Sequence, residues 1–411
     1  MARVDREEIA RTVLGGRSEL FAADFAAHAG SLAEAFSDQT VCVIGAGGSI
    51  GRITSEVLLG QRPRRTLLVD WSENNLAEVT RRLRNVLGSN PPDFESWPLD
   101  YTGAPFAALL ERERPGVILN FAAYKHVRSE KDQLTLAEMI RVNVLGNLKL
   151  LNWVREHGAR RYFVISTDKA VNPASCMGAT KRLMERLIFA AALQGYIPKT
   201  IVTTTRFANV LFSDGSLPAS FLARLEQRQP LTGPSDIERY FISPLEAGRL
   251  CLLAAAHLVS GEILIPRMRP GDLMRFDVIA ERLLASRRLK PKHYGSDHER
   301  ARACLDEDLK AGYWPCLFSP STTSGEKAYE EFREDGEDDT PGQPYHEIEV
   351  IRPAGLPDFP TLSADLERLG RGLGDMAWLL RTSKEALIEN LSRLVPSFRH
   401  IETGQNLDTK L

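Results

Sequence analysis

Apolar residues along the chain fall into short unbroken runs separated by stretches of helical spacing. That alternation is expected of strands and covering helices in an α/β protein. Val41-Cys-Val-Ile44, Thr66-Leu-Leu-Val69, Val117-Ile-Leu119, Tyr162-Phe-Val-Ile165 and Ile201-Val-Thr-Thr-Thr205 are apolar or β-branched throughout. They read as parallel strands buried on both faces, which have no polar side to alternate. Between them, Ile140, Val144, Leu148 and Leu151 mark a helix from about Thr135 to Val154, and Leu183 to Leu193 a second. The pattern predicts a Rossmann-type doubly wound parallel sheet over residues 39–210. Residues 1–38 carry Ile9, Val13, Leu14, Leu20, Phe21, Phe25 and Leu32 at broadly helical spacing, which predicts an N-terminal helical segment packed on that domain. Residues 211–332 read mostly as a smaller, substrate-binding lobe.

Residues 333–411 turn acidic, then Gly/Pro-rich, then helical through Leu362, Leu366, Leu369, Leu373, Leu379, Leu387 and Leu391. A linker and a helical C-terminal extension are expected. Such a leucine stripe must be covered by the body of the protein or by another chain, so a homo-oligomer is expected.

Composition narrows the function classes. The 411 residues are nearly balanced in charge, with a formal net charge of -2, so no global field draws the protein to nucleic acid or to an anionic membrane. Any phosphate must be held locally. The N-terminal residues lack a signal-peptide pattern, and the apolar runs are far shorter than the ~20 residues that span a bilayer. A cytoplasmic protein without membrane insertion is expected. Its five cysteines lack CxxC spacing, and no His/Cys/carboxylate run has metal-site spacing, so no metal is expected.

The candidate chemistry sits at the strand ends. Gly45-Ala-Gly-Gly-Ser-Ile-Gly51 follows the first strand and opens a helix, the order of a dinucleotide-binding turn. Gly45, Gly48 and Gly51 serve the tight turn, backbone approach to a pyrophosphate, and helix packing; Ser49 and Ile50 begin the helix. Asp70 ends the second strand 25 residues after Gly45, placed to bond ribose hydroxyls and to favour NAD over NADP. A helix N-cap is the other reading of Asp70, a role Ser72 could also fill. Asp100 lies where it could approach the adenine. In Asn120-Phe-Ala-Ala-Tyr-Lys-His126, Ala122 lets backbone lie against a cofactor, while Lys125 and His126 reach toward the cleft. Asn143, polar on an apolar helix face, should tie helix to strand.

Ser166, Thr167, Asp168 and Lys169 follow the Tyr162–Ile165 run, and Asn172-Pro173 forces a loop. Met177 and Lys181 lie four apart on the next helix and share a face. A hydroxyl, a carboxylate and two amines therefore converge where an open sheet holds its ligand. Arg206 at another strand end suits a carboxylate or phosphate. Arg239 and Lys327 are further candidate phosphate contacts, with surface salt bridges as the alternative.

These motifs, in order, resemble the nucleotide-sugar 4,6-dehydratases of bacterial polysaccharide biosynthesis, which are extended short-chain dehydrogenase/reductases. The resemblance covers roughly residues 35–332 and is strongest to the UDP-N-acetylglucosamine 4,6-dehydratases. Large members of that group carry transmembrane helices ahead of the catalytic domain. Most of the superfamily has Tyr where Met177 stands, and Thr323-Ser324 replaces the usual Arg-Pro of a late loop that ends here in Ser324-Gly-Glu-Lys327.

The resemblance implies an NAD cofactor and a UDP-sugar substrate, oxidised at C4, dehydrated across C5 and C6, and reduced at C6. It implies Thr167 on the C4 oxygen, Asp168 as acid/base and Lys169 as the C5 base, with the reverse division of steps between Asp168 and Lys169 as the alternative, and Lys181 on the nicotinamide ribose, with Met177 unable to exchange a proton. Lys125, His126, Arg206, Asn209, Arg239 and Lys327 are carried over as substrate contacts. A nucleotide-sugar epimerase and a catalytically silent NAD-binding protein are the alternatives.

Overall fold

Fourteen strands organise the computed structural model of the chain, which describes residues 6–17, 19–87, 92–320, 331–342 and 344–401. In chain order they are β1 (Thr40–Ile44), β2 (Arg65–Asp70), β3 (Phe94–Pro98), β4 (Val117–Asn120), β5 (Arg161–Ile165), β6 (Ile201–Thr205) and β7 (Asn209–Val210). Then come β8 (Leu231–Pro234), β9 (Glu238–Ile242), β10 (Glu262–Pro266), β11 (Leu273–Arg275), β12 (Lys290–His293), β13 (Tyr313–Ser319) and β14 (Ile348–Ile351).

Eight of them form the central sheet in the order β14-β10-β6-β5-β4-β1-β2-β3, parallel throughout except for β14. This is the doubly wound Rossmann-type sheet expected from the apolar runs. Strand order reverses between β1 and β4, so a crevice opens at their carboxyl ends. Ile44 is level with Asn120, and Asn120 with Val164. The loops after β1, β4 and β5 therefore leave the sheet at one height and meet there.

The sheet is covered on both faces. One core joins β1, β4 and β5 to the helices Gly146–His157 and Cys176–Leu193; the other joins the opposite face to Leu58, Leu250 and Leu253. The smaller lobe has its own core around Phe212, Phe221, Phe241, Phe276, Leu283 and Trp314, with two three-stranded sheets, β11-β9-β7 and β12-β13-β8.

Several expectations change. The N-terminal segment forms three helices, Arg6–Val13, Ala22–Ala27 and Ala29–Phe36. The first buries Ile9, Ala10 and Val13 in the core of the smaller lobe, whereas Phe21, Leu32 and Phe36 pack on the sheet domain. Helical spacing reveals an apolar face but not which body it will meet. Residues in the 211–332 range also return to the large sheet, through the helix Pro244–Ala256 and β10.

The expected linker is not peripheral. It leads into β14, the antiparallel edge strand, and it carries the buried Glu337. Beyond it, the helices Phe359–Gly374 and Lys384–Leu394 bury Leu362, Leu366, Leu369, Leu387, Leu391 and Leu394 in the same core as the helix Cys176–Leu193. The leucine stripe is thus covered by the chain's own body, and it no longer argues for an oligomer. Among the described residues no helix is long and apolar enough to cross a membrane.

Candidate active site

The turn after β1 is built from glycines because it passes close to two backbones. Gly45 has φ +77°, and a Cβ there would lie 2.6 Å from the Ala122 nitrogen; one on Gly51 would lie 2.1 Å from the Gly45 carbonyl oxygen. Asp70, at the end of β2, accepts hydrogen bonds from Gly47 N (2.9 Å) and Ser72 N (2.9 Å). Ser72, rather than Asp70, caps the next helix, through its hydroxyl on Asn75 N. Burial raises the Asp70 pKa against these two bonds. A carboxylate offers about four acceptor positions, so this one keeps capacity for further donors. Gly48 is the exposed N-cap of the helix Ser49–Leu59, with Ser49 and Ile50 half-buried behind it.

Asp100 is exposed and paired with Arg141 at 3.2 Å, while its other oxygen accepts from Thr102. Ala122 is half-buried, its N–H on the Asn120 side chain. Asn143 accepts from Tyr124 N and donates to Tyr124 O and to Thr180 Oγ1 at 2.8–3.0 Å. It thereby ties the loop after β4 to the helix Cys176–Leu193. It sits on a π-helical turn, Arg141–Leu145, that widens the helix at this point.

At the end of β5, Thr167 Oγ1 donates to Asp168 Oδ1 (2.7 Å), and Lys169 Nζ lies 3.2 Å from the same oxygen. Asp168 is 3% exposed and the Lys169 side chain 29%. Met177 and Lys181 are both buried on the following helix. Lys181 Nζ donates to Ile165 O at 2.8 Å; burial lowers its pKa to about 8, against the attraction of Glu185. Glycine again permits the approach: a Cβ on Gly178 would stand 2.3 Å from the Lys169 carbonyl oxygen. The first turn of this helix therefore rests on the Asp168–Lys169 backbone, a contact the sequence reading missed.

The remaining expected contacts divide. Asn209 is half-buried, and its amide nitrogen has no hydrogen-bond partner among the described residues. Lys125, expected at the substrate, ties two loops together, its Nζ donating to Asp214 O at 2.7 Å, which uses one of its three donors. Asp214 itself accepts from Ser49 Oγ (2.8 Å) and pairs with Arg6 (2.9 Å), so this loop sits over the start of the helix Ser49–Leu59. The His126 ring packs against Gly215, where a Cβ would meet it at 2.4 Å. Arg239 is buried, with Nη1 on Glu238 O. Lys327 and its loop lie outside the described residues.

Arg206 is the clear correction. It is 0% exposed, and all five of its N–H donors are committed: to both oxygens of Glu185, both oxygens of Glu337, and Phe332 O. None remains for a carboxylate or phosphate in the cleft. Arg182 joins the same network through Glu185 (3.0 Å), Glu337 (2.7 Å) and Glu334. The fold also gathers Glu130, Cys176 and His400, whose potential ligand atoms lie within 4.8 Å of one another, a cluster that residue spacing could not reveal.

Comparison with known proteins places this architecture. The capsular polysaccharide biosynthesis protein CapD of Staphylococcus aureus is 32% identical over 231 residues, 56% of this chain and 38% of that protein. A UDP-glucose 4-epimerase of Rickettsia canadensis is 35% identical over 132 residues, 32% of this chain and 38% of the epimerase. The chain thus aligns with well under half the length of either relative. Pen from Bacillus thuringiensis, known from an X-ray structure, shares the fold with a TM-score of 0.62 over 82% of this chain and 98% of its own, at 19% identity. Residues 41–348, from the first strand of the glycine turn to the start of the edge strand, match the family described as polysaccharide biosynthesis protein, and the chain belongs to that family.

Proposed function

We propose that the protein is an NAD-dependent nucleotide-sugar 4,6-dehydratase acting on a UDP-hexosamine, with UDP-N-acetylglucosamine as the first substrate to test. One observation carries this reading: the Asp168 carboxylate touches both Thr167 and Lys169 just past a strand end, ahead of a helix that carries Met177, whose thioether cannot take a proton. Epimerisation at C4 needs one group to exchange the 4-hydroxyl proton. Elimination across C5 and C6 also needs a base for C5–H and an acid for the departing hydroxyl. Asp168 and Lys169 are two adjacent proton-exchanging groups, so the site is equipped for the second reaction. The named relatives, one in capsular polysaccharide biosynthesis and one acting on UDP-glucose, support a UDP-sugar as the substrate class.

The residues present fit NAD. The exposed N-cap Gly48 offers helix-start amides to a diphosphate, Asp70 keeps acceptor capacity for ribose hydroxyls, and Lys181 has donors beyond the one spent on Ile165 O. Bound there, NAD supplies an acceptor and donor of hydride. The chain's own groups then hold and move protons. Thr167 orients the C4 oxygen, Asp168 exchanges the 4-hydroxyl proton and protonates the leaving hydroxyl, and Lys169 takes the proton from C5. Asn209, with its unpartnered amide, faces the sugar nucleotide.

UDP-N-acetylglucosamine incubated with the protein and NAD in heavy water tests the reaction. The expected product has lost one water and carries one solvent deuteron at C5, read by mass and by NMR. An epimerase would return a sugar of unchanged mass without deuterium. An unchanged mass across this substrate and its common UDP-hexosamine relatives overturns the dehydratase reading.

The cofactor preference is tested separately. Calorimetry is expected to show tighter binding of NAD than of NADP, because the Asp70 carboxylate would face the 2′-phosphate of NADP. Asp70→Ala is expected to weaken both, since Asp70 also holds Gly47 N, and to narrow the ratio between them. Equal affinity of the unmodified protein for the two would count against this role.

A further inference from the structure

We propose that Phe398–Ile401, more than two hundred residues downstream in sequence, is a positioning element that straps down the start of the helix carrying Met177 and Lys181. The inference rests on reading residues 167–181 as the reaction centre.

The geometry has three parts. After the helix Lys384–Leu394 the chain turns back and buries Phe398; Arg399 N then donates to Pro173 O (3.0 Å) and Ile401 N to Ala174 O (3.0 Å). Alternate residues donate, as on a strand edge, to a loop that has no ladder of its own. Next, Glu130 accepts from Cys176 N (2.9 Å) and Met177 N (2.8 Å), one oxygen to each of the first two amides of the helix. A buried carboxylate at a helix start is favoured by the orphan N–H groups and the dipole. His400, on the strap, brings its Nε2 within 3.9 Å of Glu130. Finally, Gly178 rests on the Lys169 carbonyl, so movement of the first helical turn is passed to Lys169 and Asp168.

The contacts thus run from the strap to Pro173 and Ala174, to the helix start, and to the proton-exchanging pair. A residue of that pair displaced by about 1 Å can lose up to about a hundredfold in rate while substrate still binds.

Proline substitutions delete the strap's donors, and alanine substitutions keep them. Among the described residues the Arg399 side chain bonds only locally, to Pro396 O and Phe398 O, so Arg399→Ala is a fair control for Arg399→Pro; Ile401→Ala and Ile401→Pro form the second pair. Two readouts are taken: amide hydrogen exchange over residues 174–178, and kcat and KM determined separately. The proline variants are expected to exchange at least about tenfold faster there and to lose at least about tenfold in kcat, with KM within about twofold, while the alanine variants stay near the unmodified protein. Glu130→Gln keeps the shape at the helix start and is expected to move the same two readouts in the same direction, which covers the case of a proline variant that fails to fold. Unchanged exchange in the proline variants, or unchanged kcat in an active enzyme, overturns the proposal. Faster exchange in a protein that turns over no UDP-sugar supports the strap's hold on the loop and counts against the dehydratase reading instead.

Discussion

Lys169→Ala and Asp168→Asn are each expected to lower kcat by at least about a hundredfold, with KM changed by no more than about twofold, the usual scale for losing a positioned acid or base. Both groups meet at one carboxylate oxygen, with Thr167 as the third partner. Removing either therefore disturbs proton transfer without removing surface that grips a nucleotide. The two losses are also expected to be far from additive in the double variant, because residues that act as a unit are lost as a unit. Met177→Tyr restores neither, since a phenol on the helix does not replace a base for C5–H. Steady-state kinetics on each variant, with NAD affinity measured alongside, decides the matter. Ordinary turnover in both single variants would remove the central assignment.

Arg206→Met is expected to destabilise the fold by about 3–5 kcal/mol, the cost of taking one of two cations from a buried pair of carboxylates that Arg182 alone then serves. Glu185 and Glu337 each accept two hydrogen bonds from Arg206, and Arg206 has no exposure to water. The pH dependence gives the sign. Burial alone would raise the Glu337 pKa, but the hydrogen bond and charge of Arg206 and the charge of Arg182 outweigh it and hold it at about 2. A carboxyl depressed on folding stabilises the native state above its unfolded pKa and loses that contribution as pH falls through the folded one. The unmodified protein is therefore expected to lose stability between about pH 4.5 and pH 2 from this group. In Arg206→Met the two carboxylates keep Arg182 but lose the second cation, which leaves a negative charge unbalanced, and mild acid should stabilise the variant relative to neutral pH. Denaturant melts at several pH values read both effects. If Arg206 instead held a diphosphate, the variant would show a raised KM and an unchanged melting point.

The contrast between these two sites shows what sequence could and could not convey. Strand runs and the glycine turn are local and follow from backbone demands within about ten residues, and the acid ending β2 stands only 25 residues from Gly45. The contact of Thr167 and Lys169 with Asp168, and the helix that follows with Met177 and Lys181, need only a strand end and a helical repeat, both readable. Arg206 looked like a strand-end cation of the same kind. Its true partner, Glu337, lies 131 residues downstream in a stretch whose acidity resembled a solvated linker. Glu130 gave no signal at all, because a carboxylate that caps another element's helix has no partner nearby in sequence. Leu362 to Leu391 announced an apolar face, and only the fold revealed that the helix Cys176–Leu193 lies beneath it. Periodicity shows that a face must be covered; it does not show by what.

The edge strand has a consequence during protein synthesis. β10 pairs with β6 on one side, and its other side takes β14, which leaves the ribosome 82 residues after Pro266. At ~5–20 residues per second, the backbone of Ile263-Leu264-Ile265 waits roughly 4 to 16 s without its partner strand. A bare apolar edge of that kind is a template for pairing with another nascent chain. Polysomes crowded on one message would hold several such edges close together, and that exposure ends only once Ile348–Ile351 has emerged to pair with Ile263–Pro266.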